Sequence, residues 1–529
     1  MGEACLAGPS GVDSRNAKRL ATVPNQPRRR APMPVGQLRF IVPDMSRISD
    51  RSAQQAYLTG FEPIPNYCRT RLGDGELTVE REGFDSVKLN IPWRIDGHGE
   101  VLIGTATLMQ RDRPYLLPLE LARGKINQVR NQLAEWQLAG LPTTEPLKKL
   151  LSNAVRLFTD AAVRQHDPIE SSKIAQEALV SAIEAALTVA ELYSEQALIF
   201  RHQSMVKLPI AFGTSLGRGG VQAAAAQHAA SLCNTAVVPL IWRHTSPAED
   251  EYVWDHYEDQ VHWCRSQGMN IAAGPLLRLD ERGFPDWLTA WQGDVDAIAA
   301  FSAEYVAKTV QQFRGRVSFW NVATFSYRAQ SLGLKDEDKL RIIAKAIDTV
   351  RRFDADTPLI VGFDQPWGEY LRKLPLAYPP LHIADHLVRS GLPLAAIGLE
   401  LEVGYHPDGS YLRDPLEVGK FIDSWSMLGM PLYLYLTVPS GEAPDPLAEG
   451  RSAPIGGAYH GGWSPAAQAD WVRKCVPMLL AKPSVQGIAW TQLRDDEPHD
   501  LPHGGLFDAQ GNPKPALTAL AYLRKQHLV

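Results

Sequence analysis

Cysteine is scarce in this chain: five residues in 529, and Cys5, Cys68, Cys233, Cys264 and Cys475 are widely scattered. No Cys-x-x-Cys pair or Cys/His spacing of the zinc type occurs, so a cysteine-built metal site is excluded and free thiols are expected. Long apolar runs are missing too. The first thirty-odd residues lack the apolar centre of a secretion signal, and no later stretch is long enough to span a bilayer. Net charge is small, −5 at neutral pH, so the charge balance calls for no polyanionic partner. The one basic cluster, Arg28-Arg29-Arg30, sits in a Pro-rich stretch and reads as a solvated tail. Met1-Gly2 opens like a myristoylation signal, but Leu6 stands where Ser or Thr is required. These absences predict a cytoplasmic protein with no cofactor, no metal, no nucleic-acid partner and no membrane contact; they do not address its oligomeric state.

What is present is a globular composition, 45% hydrophobic and 21% charged, over a length that implies two or three domains. Residues 1–34 are polar and aperiodic and are expected to be a disordered leader. Residues 35–123 hold short β-like runs between turns: Gln37–Val42, Glu76–Val79 after Gly73-Asp-Gly75, Val87–Ile91 and Val101–Leu108. They predict a small β-sandwich or jelly roll. Trp93 and Tyr115 could stack on a sugar there, or serve as core aromatics. Residues 124–205 read as a helical connector. Ile174, Ala178, Ile183, Leu187 and Ala190 recur at helical spacing, opposite Glu177, Glu184 and Glu191.

From residue 206 to the end, apolar strands alternate with amphipathic helices, the pattern of a parallel sheet with crossovers. Eight strands are expected: Leu208–Phe212, Thr235–Leu240, Asn270–Gly274, Val317–Val322, Leu359–Phe363, Ala395–Glu402, Pro431–Thr437 and Gln486–Trp490. Eight such units predict an α/β fold of the (β/α)8 TIM-barrel class.

Several segments carry a resemblance. Ser464-Pro-Ala-Ala-Gln-Ala-Asp-Trp471, Val485-Gln-Gly-Ile-Ala-Trp490, Gly505-Leu-Phe-Asp508 and Asn512-Pro-Lys-Pro-Ala-Leu517 together resemble the last β/α unit of the family 10 glycoside hydrolases, the xylanase-type barrels. Pro209–Gly213, His262–Met269, Phe313–Val322, Ser390–Gly398 and Leu428–Pro431 resemble earlier parts of that barrel, in order. The resemblance implies retaining hydrolysis by two glutamates, ending the fourth and seventh strands, with carboxyls ~5 Å apart. Here the matching residues are Phe325, after Thr324, and either Leu436 or Val438. The second-strand Asn and Lys and the third-strand His of the family are also missing, the latter falling near Gly274.

Acids remain elsewhere at the expected mouth. Glu400 and Glu402 lie two apart on the sixth strand, so both point to one side; the resemblance puts them where the family lines its sugar site. Asp364 follows the fifth strand. Packed together, such carboxylates can provide one acid and one base, or they can be held by arginines, for which Arg413 and Arg494 are candidates. Asp364, Glu400 and Glu402 are thus the candidate catalytic residues. Trp490, matching a family tryptophan beneath the sugar ring, with Asn321, Trp367, Glu369, Arg494 and Asp495, are the candidate substrate contacts. Trp463 is a further possible rim residue, and Trp320 reads as core. The acidic and histidine residues Asp495, Asp496, His499 and His503 allow a metal reading, but without a strand to fix them they fit a substrate-facing loop better.

Three functions compete. One is a divergent glycoside hydrolase acting on a β-linked oligosaccharide or glycoside, xylan-type by resemblance, with relocated carboxylates. The second is a non-catalytic carbohydrate-binding protein on a decayed barrel. The third is a self-associating scaffold.

Overall fold

Alternating apolar and polar residues build the front of the chain. In Val35–Ile41, Leu38 and Phe40 are buried while Arg39 faces water, the pattern of a strand covered on one side. The computed structural model describes residues 35–220, 223–327, 331–374 and 377–529; the leader expected at 1–34 lies outside them. Two four-stranded sheets form the front part. One runs Arg69–Gly73, Glu76–Glu82, Val35–Ile41, Tyr115–Leu116; the other runs Pro65–Asn66, Tyr57–Thr59, Lys88–Ile95, Gly99–Gly104. Asp74 and Gly75 join two of these strands with φ of 50° and 74°, the left-handed pair that a two-residue hairpin turn needs. Strands missing from the sequence-based expectation are short, or carry charges along an exposed edge, as Arg69–Gly73 does. Neither Trp93 nor Tyr115 offers a stacking face. Trp93 is fully buried and its Nε1 donates to Gln176 (3.0 Å); Tyr115 lies under Arg111, 3.5 Å from the ring centre.

Three helices follow: Leu117–Leu138, Glu145–Val163 and Pro168–Ser204. The connector therefore starts seven residues earlier than expected, since helix begins at Leu117 rather than 124. Asp167 caps the last helix by accepting from the N–H groups of Ile169 and Glu170, and Pro168 opens it. Its 37 residues extend ~55 Å. The expected apolar face is buried or half-buried, while Glu177, Glu184 and Glu191 are exposed. This face packs on the other two helices and on Pro465–Ala481 of the next part. Lys125 and Asp414, both buried and 2.6 Å apart, tie the first helix to that part as well.

Eight parallel strands make a closed ring: Ala211–Ser215, Thr235–Val238, Asn270–Ala273, Phe319–Phe325, Leu359–Phe363, Ala396–Glu402, Leu432–Thr437 and Val485–Trp490. Pairing of the third with the fourth (Ala272 with Phe319, Ala273 with Trp320) closes it. The (β/α)8 barrel is present, and its strands lie close to their expected places. The first is displaced most, because Leu208 bridges Leu528 near the chain end instead of entering the ring. Alternation separates two apolar populations. Val237, Ala272, Phe319, Ile360, Ala396 and Tyr435 fill the inside of the ring. Trp320, Phe325, Leu434, Leu436 and Val438 belong to the larger core outside it, beneath the helices. Cys68, Cys233, Cys264 and Cys475 are buried free thiols. Among the described residues, no helix is long and apolar enough to cross a membrane.

Candidate functional site

The inward face of the sixth strand places Glu400 and Glu402 at the C-terminal rim, both buried. Asp364, the first residue after the fifth strand, joins them. Asp364, Trp367, Glu369, Glu400 and Glu402 line one crevice of about 10 Å³, room for about one water. The fourth strand supplies hydroxyls. Thr324 Oγ1 donates to Glu400 (3.2 Å), and Ser326 Oγ donates to Asp364 and lies 3.3 Å from Asp280. The Tyr327 N–H donates to Asp364 (3.1 Å).

The third strand stops at Ala273 and resumes as Leu277–Arg278, which pairs with Ala323 and Thr324 of the fourth. That break turns Arg278 into the mouth. Its Nη1 and Nη2 donate to both oxygens of Glu400 (3.1 and 3.0 Å), and its Nε donates to Asp280 (3.1 Å). Burial opposes the guanidinium charge, but Glu400, Asp280, Glu402 and Asp500 overcome it and hold Arg278 protonated well above its usual range. Arg282 stands one turn outward, 3.7 Å from Asp280 and from Glu402 and 3.4 Å from Asp500. Two glutamates are thus held by arginines, but not by the pair expected. Arg413 pairs with Glu369 and Arg494 with Asp496.

Asp408 lines the crevice and also a cleft of about 590 Å³ that opens above it. Loops after the first, second, third, seventh and eighth strands wall this cleft with Arg218, His244, Arg282, Glu449, Arg451 and Asp500. Ion pairs run across it: Arg218 with Glu449 and with Asp500 (2.8 Å), and Arg451 with Asp408 (2.6 Å). None of the described lining residues is Phe, Tyr or Trp. Burial would raise the Asp500 carboxyl, but Arg282, Arg218 and Arg278 hold it well below the usual carboxylate range.

His244 moves the other way. Burial first, then the charge of Arg218, depresses it to about 4, so it is neutral at pH 7. The unfolded chain takes up this proton near pH 6.5, whereas the folded chain resists until about 4. Stability falls as pH drops through that window, by about 3 kcal/mol in all and by about 2 kcal/mol down to pH 5, on general linkage arithmetic. His244→Gln should flatten the decline, read as urea midpoints at pH 7 and pH 5.

The structure distributes the remaining candidates as follows. Trp367 lies between Phe421 (ring centres 3.8 Å apart) and the Arg413 guanidinium (3.8 Å), so both of its faces are covered. Glu369 holds Arg413, which also reaches Tyr57 of the front part. Trp490 is fully buried with its Nε1 donating to Gly504 (2.8 Å), and Trp463 donates to Ile455. Asn321 is buried inside the ring, 3.4 Å from the Tyr435 hydroxyl. Asp495 is buried and accepts from Gln492 and Gly505 while pairing with Lys514. These four are packing and bracing residues, away from the crevice. Asp495 and His499 are engaged separately, His499 with Asp445 (3.1 Å), and among the described residues no metal-ligating cluster forms. Trp320 is core, as expected.

A register shift between Asn321 and Ala323 reverses the alternation of the fourth strand, so that Phe319 and Asn321 face the inside of the ring and so do Thr324 and Ser326. Phe325 points outward among Phe363 and Tyr327, and Leu436 and Val438 lie in the outer core. The inward residues are Thr324, Ser326 and Thr437, the last hydrogen-bonded to Thr491. Arg278, Asp280 and Arg282 were missed. Their signal was the alternation in Leu277-Arg-Leu-Asp280, which puts Arg278 and Asp280 on one face.

The class these features define is a (β/α)8 barrel similar to the family 10 glycoside hydrolases, with its polar site at the C-terminal mouth. No protein-family model matches the chain. In sequence it is similar to endo-1,4-beta-xylanase B of Thermotoga neapolitana, 23% identical over 299 residues, covering 54% of this chain and 79% of that protein. Among solved structures it is similar to native xylanase 10B from Thermotoga maritima, with a TM-score of 0.45, 16% identity and coverage of 60% of this chain and 96% of that one. A GH10 endoxylanase retrieved from a sugarcane soil metagenome matches with the same four values.

Proposed function

We propose that this glycoside hydrolase-like barrel binds a β-linked oligosaccharide or glycoside in its mouth cleft, without cleaving it by a two-glutamate mechanism. The similarity to a xylanase in sequence supports a xylan-type ligand. The reading rests on the residues that the resemblance matches to the family's two glutamates, none of which is a carboxylate and all of which turn away from the mouth. Phe325, Leu436 and Val438 sit in the outer core, and hydroxyl residues occupy the inward places. Hydroxyls and ion-paired side chains can hold sugar hydroxyls, but none of Thr324, Ser326 and Thr437 is a carboxyl acid or base.

A second reading, hydrolysis by relocated carboxylates, is favoured by the convergence of Asp364, Glu400 and Glu402 on one crevice. One set of samples separates the two. Xylo- and cello-oligosaccharides are titrated by isothermal calorimetry, and the same mixtures are then chromatographed. Saturable binding without product supports the binding reading. Product formation that falls ~10²–10⁴-fold in Glu402→Gln, the usual worth of a general acid or base, supports the second. Neither binding nor product sinks both.

A further inference from the structure

The front part fastens the mouth loops from behind. At the end of the helix Asp50–Gln55, the Gln55 amide donates to His406 Nε2 (2.6 Å). Two residues on, the Tyr57 hydroxyl accepts from Arg413 (3.4 Å), the arginine that pairs with Glu369. The strand Gly99–Gly104 forms the edge of its sheet, and its outer N–H groups go to barrel loops. Glu100 donates to the Ala458 carbonyl (2.9 Å) and Leu102 to the Leu412 carbonyl (2.8 Å). The approach is close: a Cβ at Gly99 would lie 2.3 Å from the Ala458 carbonyl oxygen. These contacts fall on the loops after the fifth, sixth and seventh strands, which bring Glu369, Asp408 and Glu449 to the mouth.

The sixth-strand loop receives most of them. It folds back on the strand tip, where the Ser410 N–H donates to the Glu402 carbonyl (2.9 Å) and the Gly404 N–H to the Ser410 carbonyl (2.7 Å). A Cβ at Gly409 would lie 2.6 Å from that Glu402 oxygen, so the loop rests directly on the residue that bears the inward carboxylate. Asp408 and Ser410 of this loop line the crevice, and Asp408 lines the cleft as well. On the barrel side, Tyr405–His406 pairs with Ala453–Pro454, and Arg451 holds Asp408. From behind, the front part holds His406, Leu412 and Arg413. Loops are ordinarily the first places to open. One held on both sides keeps its shape before a ligand arrives, which lowers the ordering cost of binding.

We infer that the front part is the support that pre-sets the barrel mouth, with Gln55 and Tyr57 as positioning residues. Gln55 acts on Asp408 through His406, two residues before it. Tyr57 acts on Glu369 through Arg413. Neither touches the ligand; both fix the supporting shell behind groups that line the crevice and cleft. The effect on affinity rests on the mouth being the oligosaccharide site, whereas the effect on the loop does not.

The test uses the full chain carrying Gln55→Met and Tyr57→Phe together, which deletes the amide and the hydroxyl while leaving side chains of similar size. Amide hydrogen exchange over residues 404–412 should quicken about tenfold or more, while exchange over residues 485–490 of the eighth strand stays as in the wild type. Xylohexaose affinity, measured by calorimetry, should weaken about fivefold or more. Gln176→Met, which breaks the contact of Trp93 with the long helix, loosens the front part elsewhere and should produce neither effect. Unchanged exchange over 404–412 in the double variant overturns the inference, as does equal quickening in Gln176→Met. Quickened exchange with undiminished xylohexaose affinity overturns it too. A wild type that binds no xylohexaose counts against the mouth as a xylo-oligosaccharide site, and the exchange rates then decide the positioning role. Should the double variant fail to fold, Tyr57→Phe alone is measured, and unchanged exchange over 404–412 overturns the inference.

Discussion

Replacing Arg278 with Met is expected to cost about 3–5 kcal/mol of folding free energy, the range for breaking a buried ion pair by removing one partner. The substitution keeps much of the apolar stem and deletes five donors. Three of those contacts are made at hydrogen-bond distance, two to Glu400 and one to Asp280, in a place where neither acid can turn to water. Arg278→Lys should recover only part of the loss, since an ammonium cannot reproduce the planar fork that meets both oxygens of Glu400. Combining Arg278→Met with Glu400→Gln should recover more, because the buried charge goes with its partner. Urea unfolding of the four proteins gives the comparison. A loss under 1 kcal/mol in Arg278→Met would mean that the fork contributes little to holding the mouth together.

The second large effect is expected at Gly124, inside the helix Leu117–Leu138. Helix propensity alone predicts that Gly124→Ala stabilises by about 1 kcal/mol. The structure predicts the reverse. A Cβ at this position would lie 2.2 Å from the Gly104 carbonyl oxygen, 2.5 Å from the Thr105 carbonyl carbon and 2.7 Å from the Ala106 nitrogen, all backbone atoms at the end of a front-sheet strand. Backbone cannot move aside as a flexible side chain can, and overpacking of this kind costs about 1–3 kcal/mol or more. A net loss of about 2 kcal/mol is expected, with a lower thermal midpoint. A stabilised Gly124→Ala protein would show that the helix does not approach the sheet this closely.

Both cases mark where local pattern ends. In the barrel, local pattern went far. The eight strands follow from apolar runs between amphipathic helices, because a strand buried on both faces must be apolar wherever it stands in the ring. In the 37-residue helix the middle part, residues 174–191, was equally legible, since its apolar stripe and its glutamate face reflect one boundary between core and water, whereas its ends were not read. The front sheets were half legible: strands with buried faces alternate, whereas the exposed edge Arg69–Gly73 has no core to pattern it.

In the site, the sequence by itself determined that Glu400 and Glu402 share the inward face and that Phe325 cannot be an acid. It could not set the register at the seventh strand, where Thr437 rather than Leu436 or Val438 turns inward. It named the wrong arginines as well. Arg278 and Glu400 are 122 residues apart, and only closure of the ring, with the break after Ala273, brings them together. Alternation along a strand is a local consequence of backbone geometry and can be read from neighbours. Which charges meet across a barrel mouth depends on how eight strands and their loops are arranged in space, and that is decided only when the ring closes.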